Sequence, residues 1–121
     1  MKGIGADVVS VSRMEKVLRR TPAFAAAVFS VAERAECDAR RSPSREYALR
    51  FAAKEAFLKA LGLGVLGEVA LPDVEVRCRE GRARLALGPT AAAALARRGG
   101  SAPHLSLSHG GDAALALVVV P

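Results

Sequence analysis

From Ser44 to Leu61 the chain runs without a glycine or a proline, opened by Ser42-Pro43 and closed by Gly62 and Gly64. Proline just inside the start and glycine just past the end is the asymmetry of a helix. The spacing therefore predicts one long helix from Ser42-Pro43 to about Leu61, and this constrains the fold more than any other feature. At about 100° per residue, Tyr47, Phe51, Phe57, Leu58 and Leu61 fall on one broad apolar arc. A neighbouring stripe holds Ala48, Ala52, Glu55 and Lys59, which reads as a shallow groove floor with an acid and a base projecting over it. Lys54 is out of place, since it falls inside the apolar arc.

The remaining elements follow from punctuation and period. Lys2 to Val11 reads as a strand with Ile4, Ala6 and Val8 on one face and Gly3, Gly5 and Asp7 on the other. The two glycines there leave room for something close to the backbone. Capping-box spacing at Ser12–Glu15 and again at Ser30–Glu33 starts two short helices, with another opening at Thr21-Pro22. Beyond Gly64 the period changes to two. Asp73 to Arg79 and Ala83 to Leu87 form one hairpin, and His104 to His109 with Ala113 to Val120 form another. An alanine-rich helix lies between them, from Gly88-Pro89-Thr90 to Gly99-Gly100. Helices crowd the first half and antiparallel strands the second. The fold class is α+β: an antiparallel sheet with one long helix and several short helices packed on it.

The 121 residues are expected to form a single domain spanning 1–121. All the aromatics (Phe24, Phe29, Tyr47, Phe51, Phe57) lie in the first half, so Ala, Val and Leu must hold the second. A core that thin leans on oligomerisation. The run Leu115–Val120 is apolar on both faces and needs cover on both. Cys37 and Cys78 lack metal-ligand spacing and read as free thiols. No stretch has the shape of a signal peptide or a membrane span, which points to a soluble, cytoplasmic protein.

Eighteen basic residues against twelve acidic give a net charge of +6. Such a surface attracts nucleic acid, a phosphorylated cofactor or an acidic protein. A nucleic-acid-binding module accounts for the charge, but not for Asp7 or Glu55, and the chain has few aromatics for base stacking.

Taken alone, Glu55 and Lys59 are an ordinary i, i+4 pair and Lys54 a snorkelling side chain. Asp7 changes that balance, because an apolar strand is a poor place for an unpaired carboxylate. Asp7 with Glu55 is what a Mg²⁺ site needs. Mg²⁺ takes one or two carboxylates, keeps waters and completes its octahedron with substrate phosphates. A lysine one turn away, Lys59, reaches the same phosphates. A metal-dependent nucleotide hydrolase would use the same carboxylates. His104 and His109 lie near serines but nothing resembles a nucleophile elbow.

Three blocks occur in order along nearly the whole chain. They are Gly3-Ile4-Gly5-Ala6-Asp7 followed by Arg13; Arg50-Phe51-Ala52-Ala53-Lys54-Glu55-Ala56-Phe57-Leu58-Lys59-Ala60-Leu61-Gly62-Leu63-Gly64; and His104-Leu105-Ser106-Leu107-Ser108-His109. In these blocks the chain resembles the holo-acyl-carrier-protein synthase family of phosphopantetheinyl transferases. One departure is Gly81-Arg82-Ala83, where many relatives carry Gly-Lys-Pro. The resemblance implies transfer of 4′-phosphopantetheine from coenzyme A to a serine of an acyl carrier protein. It implies Mg²⁺ held by Asp7 and Glu55, with Lys59 on the phosphates and the serine's proton passing to a metal-bound water or to Glu55. Arg50, Lys54, Lys59, Ser108 and His109 would hold the cofactor. Arg13, Lys16 and Arg20, at helical spacing, would face the acidic carrier protein. The resemblance further implies a homotrimer with active sites at subunit interfaces, and no role for nucleic acid or membrane.

Overall fold

In the computed structural model, which describes residues 1–121, strand β1 (Gly3–Ser10) leads into three short helices, α1 (Val11–Arg20), α2 (Ala23–Val28) and α3 (Val31–Asp38). The long helix α4 (Pro43–Ala60) follows. A single 3₁₀ turn precedes the hairpin of β2 (Val74–Arg79) and β3 (Arg82–Leu87). Helix α5 (Pro89–Arg97) and the hairpin of β4 (His104–Gly110) and β5 (Ala113–Val120) complete the chain. The class is α+β, as the alternation of periods predicts. The strands form two antiparallel sheets rather than one: a three-stranded sheet ordered β1-β5-β4 and a two-stranded β2-β3 ribbon. The split falls between β3 and β4, which pack side by side without joining one ladder.

Helix α4 runs beneath the larger sheet and meets β1 and β5 along much of its length. Gly3 and Gly5 make this possible. A Cβ added at either would stand 2.0 Å from a helix carbonyl, that of Ala60 or Ala56 respectively. The room that the glycines leave is therefore filled by the helix backbone. The alanines of α4 answer from the other side. Ala48, Ala52, Ala53 and Ala56 are all fully buried. Ala48 and Ala52 are thus not an open groove floor, as the spacing predicts, but part of the packed core. Small residues on both partners bring strand and helix into close dispersion contact at Gly3 and Gly5.

The opposite side of α4 carries the aromatic cluster. Phe29 lies edge-on to Tyr47 at 4.9 Å between ring centroids and to Phe24 at 6.2 Å. Phe57 and Leu58 are also buried, each worth about 1.5–3 kcal/mol of transfer from water. Apolar residues thus cover most of the helix, leaving the flank of Glu55 and Lys59 toward solvent.

Two local expectations resolve differently. The predicted capping box at Ser30 forms in full, with Ser30 Oγ accepting from Glu33 N and Glu33 Oε1 accepting from Ser30 N. The one at Ser12 does not, because α1 starts earlier and Ser10 is its N-cap. Both cysteines are free thiols, and burial pushes Cys37 up to about 12, so it stays protonated and inert at neutral pH. No helix is long and apolar enough to cross a membrane.

The apolar strand β5 has cover on only one side. Its inner residues Ala114, Ala116, Val118 and Val120 are buried. On the outer face Leu115 and Leu117 remain exposed beside Val8 and Ile4 of β1, with Val8 62% and Ile4 55% accessible.

The glycine–helix contact yields a direct expectation. Gly5→Ala forces a methyl into the Ala56 carbonyl and should cost about 3 kcal/mol or more, read as a lowered urea midpoint with an unchanged m-value. An unchanged midpoint would show that strand and helix can part without loss.

Candidate active site

Alternation along β1 puts Asp7 on the same face as Gly3 and Gly5, toward α4. Because the glycines hold strand and helix in contact, Asp7 is delivered to the flank of α4 where Glu55 and Lys59 project, one turn apart. Lys59 Nζ donates to Asp7 Oδ1 at 2.9 Å and to the Ala6 carbonyl at 3.1 Å. Asp7 and Glu55 line one groove of about 380 Å³, walled by Val8, Met14, Val17, Phe24 and Phe51, with Arg13 on its rim. The Glu55 carboxyl is raised above the ordinary carboxylate range, first by burial and then by the charge of Asp7, with Lys59 opposing. Lys59 is raised by its hydrogen bond to Asp7 and that residue's charge.

Glu55 thus senses the charge of Asp7, and one ammonium, that of Lys59, 54% exposed, is paired to Asp7. Two carboxylates that repel each other across the mouth of a groove are a donor set suited to a hard divalent cation. No group of three or more His, Cys, Asp or Glu side chains comes together anywhere in the chain. A cation held here by two protein ligands would take the rest of its shell from waters and substrate oxygens, which is the habit of Mg²⁺. The residues fit the ion.

Arg50 and Lys54 have a different position from the one expected. Both are fully buried on the far side of α4 and are committed within the fold. Lys54 Nζ donates to Glu33 Oε1 at 2.7 Å, to the Leu71 carbonyl at 3.0 Å and to the Val74 carbonyl at 2.7 Å. These use all three of its protons. It also lies over the Phe29 ring, 5.4 Å from the centroid. Burial lowers its pKa and the Glu33 carboxylate opposes that. Arg50 is held by Glu36 at 2.6 Å and Glu46 at 2.9 Å. Neither side chain, expected to hold the cofactor, reaches a ligand in this arrangement without abandoning a buried partner. The sequence signal for Lys54 was its place in the apolar arc. Its acid, Glu33, was absorbed by the capping box, which hid its second task.

Ser108 and His109 are exposed on β4, separated from β1 by the whole width of β5. Register sets Ser108 opposite Leu115, which in turn faces Val8, so Ser108 lies on the outer face and Asp7 on the inner. Within one copy of the chain neither residue joins the Asp7–Glu55–Lys59 group. Arg13, Lys16 and Arg20 are exposed on α1 and none has an acidic partner within the chain. A larger cavity, about 490 Å³, opens between the β2-β3 ribbon and β4, with Arg40, Arg82 and Ser106 among its walls. Size alone would put the site there. The paired carboxylates lie in the smaller groove.

A strand-borne acid set against an acid and a lysine on a helix has the chemistry to hold a divalent cation and a phosphorylated group, and an unpaired basic helix lies beside it. Residues 3–118 match the model of the 4′-phosphopantetheinyl transferase superfamily. A holo-[acyl-carrier-protein] synthase of Anaeromyxobacter dehalogenans is 45% identical, over 98% of this chain and 94% of that protein. The crystal structure of the holo-[acyl-carrier-protein] synthase from Neisseria meningitidis superimposes with a TM-score of 0.90 at 34% identity, covering 100% of this chain and 98% of the other. That from Helicobacter pylori, in complex with coenzyme A, gives a TM-score of 0.83 at 30% identity, over 98% and 99%. The chain belongs to the holo-[acyl-carrier-protein] synthase family of that superfamily, a family of transferase enzymes.

The buried pair can be told apart from a ligand site by stability. Lys54→Met strands Glu33 without its cation and should cost about 3–5 kcal/mol of unfolding free energy. Adding Glu33→Gln should recover part of that loss. Full stability in Lys54→Met together with lost activity would return Lys54 to the substrate side.

Proposed function

We propose that this chain transfers the 4′-phosphopantetheine group of coenzyme A to a serine hydroxyl of an acyl carrier protein, with Mg²⁺, releasing adenosine 3′,5′-bisphosphate. Residues 1–121 would work as one domain, in the cytoplasm, serving fatty-acid or polyketide synthesis. The observation that carries the reading is the Asp7–Glu55–Lys59 group at the mouth of the groove, in a chain of this family.

The serine oxygen attacks the β-phosphorus of the coenzyme A diphosphate, and the bond from that phosphorus to the bridging oxygen breaks. The nucleotide leaves with that oxygen. Asp7 and Glu55 would hold Mg²⁺, which when bound withdraws charge from the diphosphate. Lys59 is exposed and tethered only to Asp7 and one carbonyl, so it is free to turn onto a phosphate oxygen and offset charge as it develops. The serine proton would pass to Glu55, half-buried beside the groove, or to a water held there. The apolar wall of Val17, Phe24 and Phe51 lowers the local dielectric and strengthens each of these interactions.

The basic residues of α1 suit the second substrate. Arg13, Lys16 and Arg20 present three cations with no internal acid, and an acidic carrier would be steered onto them and held in register. Arg13, on the groove rim, joins that surface to the reacting centre.

The outer face of the larger sheet is consistent with a homotrimer. Ile4, Val8, Leu115 and Leu117 form an exposed apolar patch of the kind that marks subunit contact. Ser108 borders it, so packing between copies could bring Ser108 and His109 of one copy toward the groove of another. On this reading the site is complete only in the assembly.

Mass spectrometry of an apo carrier protein incubated with enzyme, coenzyme A and Mg²⁺ should show a gain of roughly 340 Da, the mass of the transferred group. Asp7→Ala and Glu55→Ala should abolish it while the protein stays folded. Coenzyme A cleaved in the absence of any carrier would instead mark a hydrolase. Arg13→Ala should raise the KM for carrier about tenfold and leave that for coenzyme A nearly unchanged. Equal effects on both would remove α1 from the carrier surface. By light scattering at micromolar concentration the chain should have three times its monomer mass, and Leu117→Lys should reduce it to a monomer with little activity.

A further inference from the structure

The first turn of α1 has no acidic residue of its own, although its free N–H groups and the positive end of its dipole call for one. The charge comes from the far end of the chain. Asp112 sits in the turn between β4 and β5, 100 positions away. Its main-chain carbonyl accepts from Val11 N at 2.8 Å. Its carboxylate accepts from Ser12 N at 2.9 Å through Oδ1, and through Oδ2 from the hydroxyls of Ser12 at 2.8 Å and Ser10 at 2.6 Å. Ser10 Oγ, oriented by this bond, accepts in turn from Arg13 N at 3.2 Å. One residue thus satisfies the first two orphan amides of α1 directly and supports the third through the N-cap serine.

We propose that Asp112 is a positioning residue, which locks the N-terminus of α1 to the β4-β5 turn and so sets where Arg13 and the rest of the basic face point. What that face is for rests on the function proposed above; the lock itself does not. Two features favour a positioning task over plain turn chemistry. All four contacts go to the β1–α1 junction, which lies three residues beyond Asp7, and none closes the β4-β5 turn. The turn itself is closed by the ladder pairing Gly110 with Ala113 and by Gly111 at φ +55°. Asp112 is not needed for it. The serine hydroxyls, Ser10 first, hold the Asp112 carboxyl below the usual carboxylate range, so the lock stays charged through neutral pH.

The test compares wild type, Asp112→Ala and Asp112→Asn as full-length proteins, by KM for carrier and for coenzyme A and by amide hydrogen exchange of residues 11–20. Asp112→Ala should raise the carrier KM about fivefold, keep kcat and the coenzyme A KM within about twofold, and speed exchange at Val11, Ser12 and Arg13. Asp112→Asn, whose amide oxygen still accepts from Ser12 N, should restore most of both readouts. If Asp112→Ala fails to fold, Ser12→Ala removes a single hydroxyl contact and must give the same selective change at smaller size. Parallel losses for both substrates, unchanged exchange in α1, or an Asn variant no better than Ala would each overturn the proposal. If wild type transfers nothing, the function reading fails, and exchange in α1 alone decides the lock.

Discussion

The structure depends on a strand and a helix touching backbone to backbone. Gly3 and Gly5 press against the carbonyls of Ala60 and Ala56 with no side chain between them. Two residues further along the same face the first side chain appears, and it is the carboxylate of Asp7. With a larger residue at Gly5 the strand would stand off the helix, and Asp7 would lose its place beside Glu55 and Lys59. The packing rule and the chemistry are therefore one arrangement. The absence of Cβ atoms sets the distance, and the next position on the alternation uses it.

Helix α4 keeps two kinds of charge apart. On the core side Lys54 and Arg50 are fully buried, Arg50 ion-paired to Glu36 and Glu46 and Lys54 to Glu33, with Glu33 accepting from Lys54, from Ser30 N and from Val76 N at once. Such a network ties α3, α4 and β2 together, and its energetic weight lies in what happens when one member is removed. On the groove side Glu55 and Lys59 remain partly wet and adaptable, with Lys59 the more exposed. Fewer than three turns of one helix thus hold two cations locked in the core and one open to solvent.

Much of this was legible in the residues. The long helix, both hairpins and the Ser30 capping box follow from local signals, breakers and period, whereas the meeting of Asp7 with Lys59 is implied by the chemistry of paired carboxylates and the family resemblance. What escaped was set by partners distant in sequence. Lys54 in an apolar arc announces an anomaly but cannot name Glu33, and the Ala48–Ala52 stripe reads as an open groove floor although the fold buries it completely. Asp112 falls between the two predicted strands of the last hairpin, where turns favour aspartate, while its partners lie at the other end of the chain. Ser108 and His109 match the family's closing block, yet the register of β4 on β5 places Ser108 on the opposite face from Asp7. No local pattern carries that.

The order of the larger sheet bears on how the molecule assembles itself. Its middle strand, β5, follows every other element along the chain, and the strand it must join on one side, β1, precedes them all. The β4-β5 hairpin closes over a two-residue turn, whereas β1 can dock only after a loop of nearly the whole chain has closed. Pairings of that sequence separation slow the search for the native state. The expected kinetic signature is a transition state in which the hairpin and α4 are organised and β1 is still loose, so that weakening β1 hastens unfolding more than it retards folding.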